Sequence, residues 1–435
     1  MAGEQNLAVS VKSGFIKPSV AIVGGGWAGC AAALTLAEAG VRVTLLEASR
    51  TLGGRARAVE LQGQKLDNGQ HILLGAYEQT LQLIERLHAT PGLWRLPLSL
   101  NQPPDFSLSC PRLPAPLHLL AGLLGAQGLD WREKLAAARW IHSLLNSEID
   151  ADHLTVSQLT HTQPEKLNRL LWHPLCISAL NTPPGIASGR VFQNVIRAAF
   201  GGHNPHSDLL LPQLDLTSLF PAPAAARIVE LGGSVRLSSR VTTLDPAPGC
   251  ITLQTCNDAH TYSHAILAVA PQHLASLIAP VAELRPLVND VASYTYQAIA
   301  TAYVQYDPAF RLKKPLFALA DGPAQFVFDR GQSHGQAGLL AFVASAAANL
   351  PISWIEQAEA QLLRIAHPGT ARWRKSIVEK QATYACVPHL ARPGNRTQHP
   401  RIFLAGDYTD GAYPATLESA TLSGVQSANT LLEQL

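Results

Sequence analysis

Short apolar runs broken by glycine open the chain. Residues 20–23 read Val-Ala-Ile-Val, four apolar positions in a row, the pattern of a strand buried on both faces of a parallel sheet. Gly24, Gly26 and Gly29 follow at the spacing GxGxxG. Residues 31–39 are rich in alanine and leucine, which predicts a helix starting where the glycines end. Residues 41–46 form a second apolar strand, closed by Glu47. Strand, glycines, helix, strand and acid in this order predict a dinucleotide site. Gly24 allows the tight turn, Gly26 lets backbone approach a pyrophosphate, and Gly29 lets the helix pack on the strand. The helix N-terminus offers free N–H groups to the phosphates. Glu47 can accept hydrogen bonds from ribose hydroxyls and repels a 2′-phosphate. A mere strand–helix turn would leave Glu47 unexplained.

The pattern continues less regularly. Residues 58–66 read as a strand pair turning at Gly63, and a helix is expected from about Tyr77 to Leu87. Residues 91–116 are rich in proline and leucine without period, which predicts a long irregular excursion. Two helices follow, 117–129 and 131–145. The first is nearly all apolar, so a buried core helix is the expectation, with a lipid-facing helix as the alternative. Residues 156–171 and 191–200 look helical, and 215–219 and 221–231 lead back towards the nucleotide-binding part. Gly232-Gly233 turns into a strand, and 251–253 and 265–270 are further strands, the latter ended by Pro271. Runs at 291–306, 316–320, 325–328, 339–344 and 373–384 predict an antiparallel sheet, with a helix at 354–365. Finally Ile402-Phe403-Leu404-Ala405 is a buried strand ending in Gly406-Asp407. Residues 411–420 then open the last helix, with Pro414 in its first turn.

Composition narrows the classes. At 435 residues the chain exceeds what one hydrophobic core usually serves. Apolar residues are 47% and charged residues only 15%, which points to contact with something greasy. A net charge of +2 is too near neutral for a nucleic-acid partner. The six cysteines show no CxxC spacing, so free thiols in a reducing cytosol are expected and a metal site is not. Residues 1–19 are polar and lack the apolar core of a signal peptide, which reads as a frayed tail. Charge-poor stretches such as 113–129 are broken by proline and glycine, unlike a transmembrane helix.

Leu52-Gly53-Gly54-Arg55 follows directly after Glu47. An NAD site has no need of a second glycine pair with an arginine, a permanent planar charge suited to an anion. With 232–271 and 402–430, this run resembles the FAD fingerprints of the amine oxidase and phytoene desaturase superfamily. The resemblance implies an α/β fold. A Rossmann-like FAD-binding domain would be built from 18–75, 205–275 and 385–435. An α+β substrate domain, antiparallel sheet plus helices, would come from 76–204 and 276–384. It implies FAD contacts at Gly24, Gly26, Trp27, Ala28, Gly29, Glu47, Gly54 and Arg55. The crossing at 67–77 adds Gly69, Gln70 and His71, and Val241 would hold adenine through its backbone. Gly406, Asp407, Thr416 and Leu417 would meet the ribityl chain and the pyrimidine end.

Trp172-His173-Pro174-Leu175-Cys176, followed by Ala179-Leu180-Asn181-Thr182-Pro183, is similar to the squalene-associated FAD-dependent desaturases, or hydroxysqualene dehydroxylases, of bacterial hopanoid pathways. That implies reduction of an allylic C30 alcohol to squalene and a hydrophobic isoprenoid substrate. The enzyme would be cytoplasmic, peripheral to the inner membrane and in contact with its surface. A carotenoid or phytoene desaturase is the alternative. An amine oxidase is less favoured because Thr416 stands where such enzymes place an aromatic residue, and a non-enzymatic FAD binder is a further class. Only one GxGxxG is present, so the electron donor is expected to be another protein or a reduced carrier. For the acid that assists the leaving hydroxyl, His71 and Asp67 are candidates, and the catalytic residue stays open.

Overall fold

The computed structural model describes residues 18–146, 149–202 and 204–435, so the expected N-terminal tail lies almost wholly outside the described residues. A five-stranded parallel sheet has the order Ser234–Arg236, Arg42–Leu46, Ser19–Val23, His264–Leu267, Ile402–Leu404. Its central strand shows why four apolar residues run together. Val20 and Ile22 pack into one apolar cluster and Ala21 and Val23 into another on the opposite face. Helix Trp27–Glu38 covers the first face, flanked by Pro221–Glu230 and the C-terminal helix Leu417–Leu432. The approach to the C-terminal helix is so close that a Cβ on Gly424 would strike the Ala28 carbonyl.

The second sheet is antiparallel, ordered Leu316–Ala318, Phe326–Asp329, Leu339–Ala344, Tyr296–Gln305, Trp373–Tyr384. Alternation again sorts its faces: Ala300, Ala302 and Val304 join helix Trp354–Leu362 in one cluster, and Tyr303 faces the other way. Helices Leu117–Gly125, Trp131–Leu145, His173–Leu180 and Gly189–Phe200 form a lobe at the end of this sheet. The tilted indoles of Trp140 and Trp172, 4.5 Å between centroids, sit in its core.

The lobe is docked by one residue of the segment 171–183. Asn181 ends helix His173–Leu180 in the left-handed region, φ 47°, a conformation asparagine tolerates well. Its Nδ2 donates to Thr383 Oγ1 at 2.9 Å and to the Gln297 carbonyl at 3.5 Å, and its Oδ1 accepts from Ala346 N at 2.6 Å. Next to it Thr182 Oγ1 accepts from Cys386 N at 3.0 Å. Two adjacent polar side chains thus fasten the helices to three separate segments of the sheet region.

Several expectations change. The first helix begins at Trp27, inside the glycine run, because Gly26 serves as its N-cap. The excursion 91–116 contains strands Leu93–Leu96, Ser99–Gln102 and Phe106–Ser109, too short for periodicity to show. Pro164 divides the expected helix 156–171: Val156–Leu159 stands alone, and a second helical stretch starts at Glu165 and runs through Asn168–Trp172 into His173–Leu180. Residues 285–292 are helical, so the long strand begins only at Tyr296. The last helix begins at Leu417, which leaves Pro414 outside its first turn. The leucine-rich helix ends at Gly125 and is not a core helix. His118, Gly122 and Leu123 are buried, while Leu117, Leu120 and Leu124 are 53%, 47% and 63% exposed.

Candidate active site

The C-terminal ends of the parallel strands, where open α/β sheets bind ligands, carry the fingerprint residues. Gly24 leaves Ser19–Val23 with φ +111°, and a Cβ there would press on the Ala268 carbonyl at the end of the neighbouring strand. Glu47 stands at the end of the next strand. Its Oε2 accepts from Gly25 N at 2.6 Å and its Oε1 from Ser49 N at 2.7 Å, so the carboxylate holds the glycine loop. Gly53 N donates to the Gly25 carbonyl at 2.8 Å, and Gly26 and Gly53 form a parallel bridge that locks the two fingerprints together. Gly54, φ +62°, faces Gly26: a Cβ on Gly54 would lie 3.2 Å from the Gly26 Cα. Both walls of this cleft are bare backbone.

Helix Trp27–Glu38 starts here without a side-chain cap, which leaves first-turn N–H groups for an anion. The Trp27 indole itself is a strut, donating to the Ala56 carbonyl at 3.0 Å and tilted against Phe220. Ala28 and Gly29 continue the helix, buried among close-packed neighbours. The segment after Ser234–Arg236 runs beside Glu47, since Ser239 N donates to the Glu47 carbonyl at 2.8 Å. Val241 opens its strand two residues later.

Arg55 and Asp407, 352 positions apart, are brought into one ion pair. Arg55 Nη2 lies 2.7 Å from both carboxylate oxygens, and its Nη1 donates to the Ala382 carbonyl at 2.6 Å. Gly406 is fixed by donation of its N–H to Ser423 Oγ. Arg392 braces this loop through the carbonyls of Asp407, Gly411 and Tyr413. Thr416 caps the C-terminal helix, accepting from Ser419 N, so the N–H of Leu417 is presented at the helix start. Glu418 is turned away. It accepts from Gln79 N, Thr80 N and Thr80 Oγ1 and so caps helix Glu78–Arg86, whose own N-cap Tyr77 has no side-chain cap.

Segment 67–71 crosses beneath the antiparallel sheet. Asp67 accepts from Leu216 N at 2.8 Å and faces Arg330 Nη1 at 3.6 Å, both side chains buried. Arg330 Nη1 also donates to Gln70 Oε1 at 2.7 Å, and Gln70 N donates to Thr301 Oγ1. The Gln70 side chain therefore points into this network. Burial lifts the Asp67 carboxyl to about 6, against the lowering pull of Arg330 and the Leu216 N–H. His71 Nδ1 donates to the Gly69 carbonyl at 2.7 Å, and burial lowers its pKa. A neutral ring with that bond presents a bare Nε2, an acceptor with no proton to give.

The arrangement fits FAD: a backbone-walled cleft between Gly26 and Gly54, an uncapped helix N-terminus, and Arg55 at hand for an anion. Arg330 and Arg392 are site-building residues that sequence reasoning missed, and Asn181, quoted there only as part of a motif, gains its docking role. Asp329-Arg330 directly after an apolar strand was the one visible signal for Arg330. Nothing local marks Arg392.

Fold and site together define a flavin-dependent oxidoreductase. The chain belongs to the flavin containing amine oxidoreductase family, whose model matches residues 27–432, and its cofactor is FAD. It is 26% identical to the hydroxysqualene dehydroxylase of Rhodopseudomonas palustris, an alignment covering 95% of this chain and 98% of that one. It is also 26% identical to the 15-cis-phytoene desaturase of Narcissus pseudonarcissus, covering 95% of this chain and 79% of that one. In fold it is similar to cyclohexylamine oxidase from Brevibacterium oxydans, with a TM-score of 0.68 at 16% identity, covering 96% and 99% of the two chains.

Two outcomes follow from this geometry. Glu47→Gln and Arg55→Ala should each weaken FAD retention, since each removes a charge-assisted bond worth about 1.5–3 kcal/mol; titration of the apoprotein with FAD, followed by fluorescence, measures this. The raised Asp67 pKa means that the folded state binds its proton more tightly than the unfolded chain. Stability from this group is therefore full below about 4 and is lost as pH rises through about 6. Melting curves of wild type and Asp67→Asn should show the advantage of the wild type shrinking from pH 4 to 7.

Proposed function

We propose that the enzyme reduces hydroxysqualene, an allylic C30 alcohol, to squalene, as a step of bacterial squalene and hopanoid biosynthesis. The observation that carries this reading is the relative named hydroxysqualene dehydroxylase, which aligns with 95% of the chain. The segment 171–183 supports it by locating Asn181 and Thr182 at the joint between the helical lobe and the sheet. An apolar lobe of this kind suits a hydrocarbon that needs no charged anchor. Bound FAD in its reduced form supplies a hydride equivalent, as the oxidised form accepts one. The chain's own residues then hold the cofactor between Gly26, Gly54 and Arg55, keep His71 neutral, and exclude water from the apolar lobe. The electron donor would be a protein or a reduced carrier. The phytoene desaturase likeness supports one competing reading, the reverse redox direction on a similar lipid.

The exposed leucines supply a membrane-facing surface in the same proposal. Leu117, Leu120 and Leu124 lie at helical spacing on one face, and Trp131 on the next helix is 68% exposed. Arg132 stacks on Trp131, 5.5 Å from Cζ to ring centroid; Arg139 is exposed on the same helix, and Arg112 is exposed in the segment before the leucine helix. Leucines with tryptophan and arginine at their edge match an acyl layer beneath anionic headgroups. No described helix is long and apolar enough to cross a membrane.

Anaerobically reduced enzyme mixed with hydroxysqualene should be reoxidised and yield squalene. Untouched reduced flavin, with bleaching of oxidised enzyme by phytoene, would instead establish the desaturase. In a liposome flotation assay with anionic vesicles the protein should float, and the triple change of Leu117, Leu120 and Leu124 to Ser should return it to the aqueous fraction. Leu123→Ser, on the buried face of the same helix, is not part of that change.

A further inference from the structure

We propose that the Tyr296 and Tyr384 hydroxyls form the alcohol-recognising end of the substrate chamber, with Tyr296 donating the proton that departs with the substrate oxygen. The inference rests on the dehydroxylase reading and names the group that reading lacks.

The two tyrosines are direct register partners across strands Tyr296–Gln305 and Trp373–Tyr384, at the sheet end where Asn181 and Thr182 dock the helical lobe. Opposed residues of an antiparallel pair project to the same face. Both hydroxyl oxygens are buried and neither has a hydrogen-bond partner among the described residues. Tyr294 donates to the Ala391 carbonyl, Tyr303 to the Asp67 carbonyl and Tyr306 to Glu359, while the buried Tyr408 hydroxyl, in the same apolar cluster as Tyr384, also lacks a partner. An unmet buried hydroxyl is costly, so two on one register pair mark a place where polar groups belong.

Their surroundings restrict that group. On one side is the apolar cluster of Trp172, Cys176 and Leu180, to which Tyr384 belongs and against which Tyr296 packs. On the other are the Arg55–Asp407 ion pair, both charges of which act on Tyr296, and Arg392, 5.3 Å from the Tyr384 ring centroid. A hydrocarbon with a single hydroxyl puts its apolar body against the lobe and its oxygen against the phenols. Arg55 and Arg392 favour a transient negative charge on a phenol, and the Asp407 carboxylate opposes it.

Burial raises both phenol pKa values, so each group carries its proton at neutral pH. The allylic C–O bond would break as the carbon took up the hydride equivalent, two electrons and one proton, that FAD in its reduced form would supply. The oxygen takes the Tyr296 proton and leaves as water. The phenolate, beside Arg55, is reprotonated from solvent.

The experiment uses full-length, FAD-loaded protein and the variants Tyr296→Phe and Tyr384→Phe. Binding of hydroxysqualene and of squalene to the oxidised enzyme is read from the flavin spectrum, with melting temperature and FAD content alongside. Both variants should keep FAD, melt no lower than wild type, and bind squalene unchanged. Each should lose about tenfold of the preference for the alcohol. Reoxidation of reduced Tyr296→Phe by hydroxysqualene should slow about a hundredfold, and that of Tyr384→Phe less. Wild-type preference and rate retained in Tyr296→Phe would overturn the assignment, as would a loss explained wholly by lost FAD in both variants. A wild type that neither prefers the alcohol nor is reoxidised by it would sink the dehydroxylase reading, and the inference with it, before any variant is compared.

Discussion

The ion pair between Arg55 and Asp407 is the joint on which the site depends. It connects the second glycine fingerprint near the start of the chain to the loop after its last strand, and the Ala382 carbonyl ties in the long antiparallel strand. The Asp407 side chain is only 10% exposed, so its charge needs a partner close by, and loss of either member would leave the other poorly compensated. The geometry of the pair also aligns neighbours that have no direct bond to it. Tyr296 stands beside Arg55, and Arg392 holds the carbonyls that follow Asp407.

A second joint sets the helical lobe. Asn181 makes its contacts only because the backbone turns left-handed at the helix end, which swings one amide group into reach of three segments. This gives the short motif a mechanical meaning. It orients the apolar helices over the end of the sheet, and that placement brings Trp172 and Cys176 into the cluster that receives Tyr384. Glu418 works similarly at the other end of the fold, where an acid in the first turn of one helix caps another. Both are polar side chains spent on fastening elements together.

Much of this was legible along the chain. The strand–glycine–helix–strand–acid order, the Gly53-Gly54-Arg55 run and the Gly406-Asp407 ending are local signals, since each needs particular backbone freedom or charge within a few residues. The five runs of the antiparallel sheet were visible as β-branched and aromatic stretches. The three short strands at 93–109 were not, because four residues carry too little alternation to stand out among prolines. The leucine helix misled for a different reason: apolar composition records what a helix can bury, and here part of that face meets no other protein element.

The sequence by itself determined the nucleotide-binding unit, the cofactor it holds and the apolar character of the lobe, because these depend on backbone conformation, charge and hydrophobicity at neighbouring positions. Only the tertiary structure decided that Arg55 meets Asp407, that Arg330 reaches Gln70, that His71 turns its proton to Gly69, and that Tyr296 and Tyr384 come into register with both hydroxyls unmet. Those facts join residues from tens to hundreds of positions apart. Whether a polar group is buried, paired or left open is a property of the packed neighbours around it, and no local pattern encodes them.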